Sequence, residues 1–280
     1  MSTHTARPAN EAIFSDLADG VQLMQASFGD HAFERHSHEG YAIGITTYGV
    51  QSFRCKGQRH DSQAGDFVLF NPDQDHDGNR GTDAGFRYTI WYVPQDLVAS
   101  CLANNGGWAD SPYFANPHVT DRPMTRTFAA LSASLAGAPN ESLRAQSLMR
   151  SFLGAMLRRH GEKIQPQDVP PRDAHRAGLA RVKDYIRTYY QRNLTVSELA
   201  GVAGLSRAHL TRAFGAAYHV PPHVYLNAIR IARAQDAIRH GVPLATVALD
   251  CGFADQAHLS RRFKGSVGVT PSHWRQMVSL

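Results

Sequence analysis

The sequence predicts two domains of different class: an antiparallel all-β sandwich or small barrel with appended helices, then an all-α domain. Three observations carry this. From Phe33 to about Val93, short runs rich in aromatic and β-branched residues are separated by turn signals. Beyond residue 174, apolar residues recur at helical spacing almost to the end. Within that helical region the same phrase is written twice, GLSRAHLTRAF from Gly204 and GFADQAHLSRRF from Gly252.

The β runs are YAIGITTYGVQSFRCKG, DFVLF and GFRYTIWYVP. Lys56-Gly57, Ala64-Gly65-Asp66, Asn71-Pro72-Asp73 and Asp77-Gly78-Asn79 are the turn signals between them. Strands with no helical spacing between them fit a sandwich or barrel. After Pro94, Phe128, Leu131 and Leu135 mark one amphipathic helix, and Leu148, Phe152, Ala155 and Met156 a second. Gly137–Asn140 separates the two, which can pack on the barrel or on another subunit. The polar run EKIQPQDVPPRD, Glu162 to Asp173, holds three prolines and reads as a linker. The expected boundaries are therefore 1–161, a linker at 162–174, and 175–280.

In the helical region Leu179, Val182, Tyr185, Ile186 and Tyr189 mark one helix face. Thr195 and Glu198 form a capping box, in which hydroxyl and carboxylate satisfy amide donors reciprocally. Ser206 and Asp255 are the expected N-caps of the two repeated helices, and Thr270-Pro271 opens the last.

At 280 residues the chain is 42% hydrophobic and 19% charged, an ordinary balance with no run of about 18 apolar residues to span a membrane. The opening MSTHTARPANEAIFSD has no basic end followed by an apolar run, so no secretory signal is expected. Cys55, Cys101 and Cys251 are scattered and odd in number, which fits reduced thiols in a cytoplasm. Charge is divided sharply. Residues 171–280 hold 15 Lys+Arg against 6 Asp+Glu, and residues 1–170 hold 14 against 18. A basic end on an acidic remainder points to a polyanionic partner.

The two copies match beyond the opening phrase. Ala200 and Gly204 correspond to Ala248 and Gly252 at an offset of 48. After one inserted residue, Leu210, Arg212, Phe214, Val220, Pro222 and Tyr225 correspond to Leu259, Arg261, Phe263, Val269, Pro271 and Trp274 at an offset of 49. Each copy reads helix, glycine turn, helix, with small residues expected to let the helices cross closely. This is the helix-turn-helix design, whose second helix enters the DNA major groove. Between the copies, Leu226, Ile229, Ala232 and Ile238 line one face of a helix of about 19 residues, roughly 28 Å long. Such a strut can hold two reading helices close to one DNA turn, about 34 Å, apart. Arg207, Thr211 and Arg212 fall on the outward face of the first, and Gln256, His258, Ser260 and Arg261 on that of the second. Arg can hold guanine O6 and N7 with two hydrogen bonds, and Gln can do the same with adenine N6 and N7.

Residues 175–280 resemble the DNA-binding domain of the AraC/XylS family of bacterial transcription regulators. LAGVAGLSRAHLTRAF, RIARAQDAI and VALDCGFADQAHLSRRFKGSVGVTPSHWR carry the resemblance. It implies base or phosphate contacts from the seven residues just named. Ala208 stands where relatives carry a larger side chain, which shifts the first helix's readout onto Arg212.

The first half resembles a cupin barrel. HSHEGYAIGITTYG, His36 to Gly49, is similar to the first cupin motif, and AGDFVLFNPDQDH, ending at His76, to the second. Metal-dependent cupins use three His and a Glu. His36, His38 and His76 fit, but the Glu would fall near Ala42. Three imidazoles can still bind zinc or iron. Without the Glu, neither a metal nor any other cofactor is the expectation. The same motifs are similar to the effector-binding domain of AraC-type regulators, which implies pocket positions at His36, His38, Tyr48, His76, Tyr88 and Ile90. Strand parity puts Thr46 and Tyr48 on the face of His36 and His38, and Tyr88, Ile90 and Tyr92 together.

No GxSxG elbow, GxxxxGK[ST] loop or GxGxxG after a strand is present. The expectation is a cytoplasmic, non-enzymatic, ligand-responsive transcription regulator with a cupin-like sensing and dimerisation domain and a double helix-turn-helix domain. Its expected partners are promoter DNA, a small-molecule effector, RNA polymerase and a second copy of itself. The competing reading is a metal-dependent cupin enzyme fused to a DNA-binding module.

Overall fold

A computed structural model describes residues 8–103, 112–136, 143–162, 174–218 and 220–278. The expected breaks at Gly137–Asn140 and at residues 163–173 of the linker lie outside the described residues, as do the first seven residues. The chain divides into two compact units. The first comprises Met1–Ala32, Glu39–Pro72 and Asp77–Gln165, and the second Phe33–His38, Asp73–His76 and Pro166–Leu280.

The sheet is organised by β4 (Tyr41–Cys55), fifteen residues long. Its opening half lies between β8 (Phe86–Val93) and β6 (Asp66–Phe70), and Val50–Cys55 pairs with β5 (Gln58–Gln63). Lys56 and Gly57 have φ of 52° and 77°, the left-handed pair that a two-residue hairpin needs. Two strands the sequence did not reveal, β1 (Glu11–Asp16) and β2 (Gln22–Phe28), extend the sheet beyond β8. β9 (His118–Thr120) adds to β6. Among the described residues the main path runs β1-β2-β8-β4-β6-β9, and β3 (Phe33–His36) pairs with β7 (His76–Arg80). This is the expected barrel-like, cupin-type sheet. Asp77-Gly78-Asn79, expected as a turn, lies inside β7 instead. The Asp77 carboxylate accepts the Arg54 amide at 2.6 Å, so cross-strand pairing overrides the local turn preference.

One face of the sheet is covered by helices. Leu23, Tyr41, Ile43, Ile45, Phe67, Leu69 and Trp91 pack with α1 (Gln95–Ala103), α2 (Arg122–Leu135) and α3 (Leu143–His160). α1 was not anticipated. Phe128 and Phe152 meet the Trp91 ring at 4.7 and 5.4 Å, and the Trp91 indole N–H donates to Ser132 Oγ at 2.9 Å. The inward face of α3 is Ala145, Met149, Phe152, Leu153, Met156 and Leu157, while Leu148 is 39% exposed. The expected stripe was thus right at Phe152 and Met156 and one position off at Leu148 and Ala155. Asp121 caps α2 by accepting the Met124 amide at 3.3 Å, and its buried carboxylate also meets Arg159 and His160.

The second unit is chiefly helical: α4 (Ala174–Tyr189), α5 (Val196–Ala203), α6 (Arg207–Tyr218), α7 (Pro222–Arg239), α8 (Leu244–Asp250), α9 (Gln256–Val267) and α10 (Pro271–Val278). Thr195 Oγ1 accepts the Glu198 amide at 3.1 Å, as a capping box requires. The Glu198 carboxylate turns instead to the Tyr185 hydroxyl at 2.8 Å and Arg192 at 3.1 Å, tying α5 to α4. Leu179, Val182 and Ile186 form the buried face of α4, with Tyr189 at its exposed margin.

Candidate functional site

The repeat folds as two helix-turn-helix motifs, α5–α6 and α8–α9. Their anchors are equivalent in burial. Leu210 and Leu259, Phe214 and Phe263, and Tyr225 and Trp274 are all 0% exposed. Each reading helix starts at its expected cap: Ser206 Oγ accepts the His209 amide at 3.3 Å, and Asp255 Oδ1 accepts the His258 amide at 2.6 Å. The two glycines differ in purpose. Gly204 has φ 70° and open space around it, so it is there for its left-handed backbone and not, as expected, for helix approach. Gly252 has φ 78°, and a Cβ there would also sit 2.6 Å from the Gln191 carbonyl oxygen.

Arg207, Thr211, Arg212, Gln256 and Arg261 are exposed, as expected of groups that meet DNA. The Thr211 hydroxyl donates to the Arg207 carbonyl at 3.0 Å. His258 and Ser260 are half-buried. The His258 ring stands edge-on to Phe253 at 5.5 Å, and its Nδ1 accepts the Ala254 amide at 3.3 Å. Burial, then the charges of Arg262 and Arg261, lower its pKa, so the ring is a neutral part of the turn. Arg262, which sequence reasoning passed over, is also exposed on α9 and meets Glu34 of the same unit at 3.1 Å.

α7, eighteen residues and about 27 Å long, is the expected handle. Leu226, Ile229 and Ile238 are buried as expected, and Ala234 takes the place foreseen for Ala232. Sequence reasoning missed Arg230, which is only 8% exposed. Its Nε donates to the Tyr190 carbonyl at 2.8 Å and its Nη2 to the Arg192 carbonyl at 2.9 Å. The guanidinium also lies 5.9 Å from the Phe253 ring. This single side chain therefore joins the handle to the segment leading into the first motif and to the turn of the second.

The candidate effector residues fall into two groups. His36, His38 and His76 come together with ring centroids 4.6 to 5.2 Å apart. His36 Nδ1 lies 2.7 Å from the Glu34 carbonyl oxygen, and His76 Nδ1 3.0 Å from that of Gln74. Burial lowers the pKa of His38 and His76, with neighbouring histidines adding to the effect, so both are neutral near pH 7. Tyr88 and Ile90 lie in the first unit on the sheet face opposite the helices. The register places Thr46 beside Tyr88, and Met24 and Gly44 beside Ile90. Tyr88 and Tyr92 both donate to Met24 Sδ at 3.6 Å. Burial raises both phenols above their ordinary pKa, so they act as neutral hydroxyls. A Cβ on Gly44 would meet Ile90 at 2.8 Å, so glycine is required there.

Tyr48 departs from the parity expectation. Thr46 is 0% and Tyr48 37% exposed, and the β4–β8 register shifts between them. A bulge adds one residue and turns the following side chains to the other face. Tyr48 thus lies outward, with Arg87 5.2 Å from its ring.

Comparison with known proteins agrees with this architecture. Residues 20–153 match the AraC-like ligand binding domain, and residues 199–277 match a helix-turn-helix domain. The uncharacterized HTH-type transcriptional regulator YbfI of Bacillus subtilis (strain 168) is 27% identical over 228 residues, 81% of either chain. The arabinose operon regulatory protein of Escherichia coli (strain K12) is 25% identical, over 85% of this chain and 80% of its own. ToxT from Vibrio cholerae O395 shares the fold at a TM-score of 0.57 and 14% identity, over 97% of this chain and 98% of its own. Wild-type ToxT from V. cholerae strain SCE256, solved with an unsaturated fatty acid bound, gives 0.60 at 13% identity, over 99% and 98%. The chain thus carries an AraC-like ligand-binding domain followed by a helix-turn-helix domain, the make-up of the AraC-type transcription regulators that it resembles along most of its length.

Proposed function

We propose that this chain is an effector-responsive, sequence-specific regulator that places α6 and α9 in successive major grooves of promoter DNA. The observation that carries the reading is the pair of capped helices with equally buried anchors and exposed arginines, Arg207 and Arg212 on one and Arg261 on the other. They sit on the stretch of the chain with 15 Lys+Arg against 6 Asp+Glu. Arg212 and Arg261, equivalent in the repeat, are the principal base-contacting groups, with Gln256 beside them. His258 and Ser260, half-buried, shape α9 and its turn or reach the phosphates.

The effector is a small molecule received within the first unit, on the sheet face of Tyr88, Ile90 and Met24. Relatives differ in what their names mention, arabinose for one and an unsaturated fatty acid for another, so kinship leaves the effector's class open. Tyr48 reaches an effector only from the outer surface. The α2–α3 layer, with Leu143 77% exposed, supplies a dimer contact. Family resemblance supports activation through RNA polymerase in the cytoplasm. The alternative, a metal-dependent cupin enzyme fused to a DNA-binding module, is less favoured because Ala42 stands where the cupin motif carries its Glu.

The test is selection of genomic fragments by the full-length protein, followed by titration across salt. The reading requires a compact motif covering two adjacent major grooves. Enrichment without a motif, with only a steep salt slope, would mean that phosphate contacts dominate and would end the claim of specificity.

A further inference from the structure

We propose that His36, His38 and His76 form a metal site for one divalent transition ion of the imidazole-preferring kind, zinc above all. The assignment does not rest on the regulator reading, because it concerns the protein alone. All three residues belong to one unit of the chain. His36 and His38 are two apart, which sets them on one side of an extended segment. Pairing of β3 with β7 brings up His76, the first residue of β7.

One ring nitrogen from each of the three lies within 4.8 Å of those of the other two. Zinc–nitrogen bonds of about 2.0–2.1 Å place tetrahedral ligands roughly 3.3 Å apart.

The tautomers point the same way. The Nδ1 atoms of His36 and His76 each face a backbone carbonyl two residues earlier, at 2.7 and 3.0 Å. A carbonyl can only accept, so each Nδ1 carries the proton and Nε2 keeps its lone pair. That is the usual support of a metal-ligating histidine, whose other nitrogen donates to a carbonyl or carboxylate and fixes the ring. Three histidines leave a fourth position on a tetrahedral ion for water or for an oxygen of a bound molecule. The carboxylate missing from the cupin motif is thus not needed for binding. Its absence leaves the ion with an exchangeable position.

The experiment uses full-length protein without a histidine tag, stripped by chelator and titrated with Zn2+ against a chromophoric competitor. One zinc per chain is expected. His36→Ala, His38→Ala and His76→Ala should each weaken it at least 100-fold. His60→Ala should leave it unchanged, although His60 lies near another histidine, His118, at 6.3 Å. Binding below one equivalent, or equal in wild type and all three variants, would overturn the assignment. If the variants fail to fold by circular dichroism, X-ray absorption of the cobalt-loaded wild type decides. Three imidazoles in the ligand shell support the site, and fewer refute it.

Discussion

Replacing Arg230 by alanine is the sharpest probe of the DNA-binding unit. The side chain is 8% exposed and gives two hydrogen bonds, to the carbonyls of Tyr190 at 2.8 Å and Arg192 at 2.9 Å. Hydrogen bonds from a charged donor contribute about 1.5–3 kcal/mol each. Desolvation of the guanidinium, which lowers its pKa, offsets part of that gain. Truncation adds a void and leaves two carbonyls to find water. The expected cost is therefore about 3 kcal/mol, falling on the helical unit. Arg230→Lys should recover less than half of it, because an ammonium cannot span two carbonyls as a fork does. Urea unfolding followed at the helical circular-dichroism band reads the change, and operator affinity at fixed salt tests the coupling between motifs. A loss under about 1 kcal/mol with unchanged affinity would refute the view that Arg230 locks the handle to both motifs.

Other perturbations separate recognition from support. Arg212→Ala and Arg261→Ala should each weaken specific binding by about 1–3 kcal/mol with the fold intact, measured by titration at fixed salt; normal affinity in both would contradict the assignment of reading helices. Ser132→Ala strands the buried Trp91 N–H, bonded at 2.9 Å, and should cost about 1–2 kcal/mol in urea melts while leaving DNA binding alone. Burial pushes the Asp121 carboxyl up, but hydrogen bonds from His160, the Met124 amide and Arg159 together outweigh it and hold the group below the usual range. Its contribution is therefore complete above the unfolded value, about 3.9, and is lost as pH falls through the lower folded value. Asp121→Asn should flatten the acid limb of the stability profile, and an unchanged limb would show that the cluster is inert.

The helical region was legible because its signals are local. Thr195, Ser206, Asp255 and Thr270 all accept the amide three residues on, as their positions in the sequence required. The β region was legible only where its strands advertise themselves. QLMQASF of β2 has no β-branched residue and is a strand because β8 and β1 pair with it. Tyr48 was misplaced by a bulge, and parity counting has no means of seeing an inserted residue. Arg230 was hidden for another reason. On a helix a charged residue reads as a solvated one, and only the three-dimensional position of two carbonyls forty and thirty-eight residues earlier makes it a core group. The histidine cluster was visible by motif, whereas the carbonyls that fix two of its tautomers were not.

The copies of the repeat are offset by 48 at the glycines and by 49 at the caps, so the extra residue lies in the turn, between Gly252 and Asp255. Ser206 and Asp255 both bond the amide of their third residue on, His209 and His258, so each cap has moved with its helix. The anchors moved with it too, since Leu259 and Phe263 keep the spacing and the full burial of Leu210 and Phe214. The insertion therefore leaves each reading helix and its seating unchanged and lengthens only the turn from the preceding helix. In the second motif that longer turn is filled by Phe253, 3% exposed, against which His258 stands edge-on. A longer turn allows α9 to leave α8 at a different angle, and on that ground the two motifs are not expected to be interchangeable. Transplanting the exposed residues of α6 onto α9 should carry over base preference only incompletely, because the same side chains would enter the groove at a different tilt. Complete transfer of preference, read by site selection on the swapped protein, would mean that the turn has no bearing on recognition.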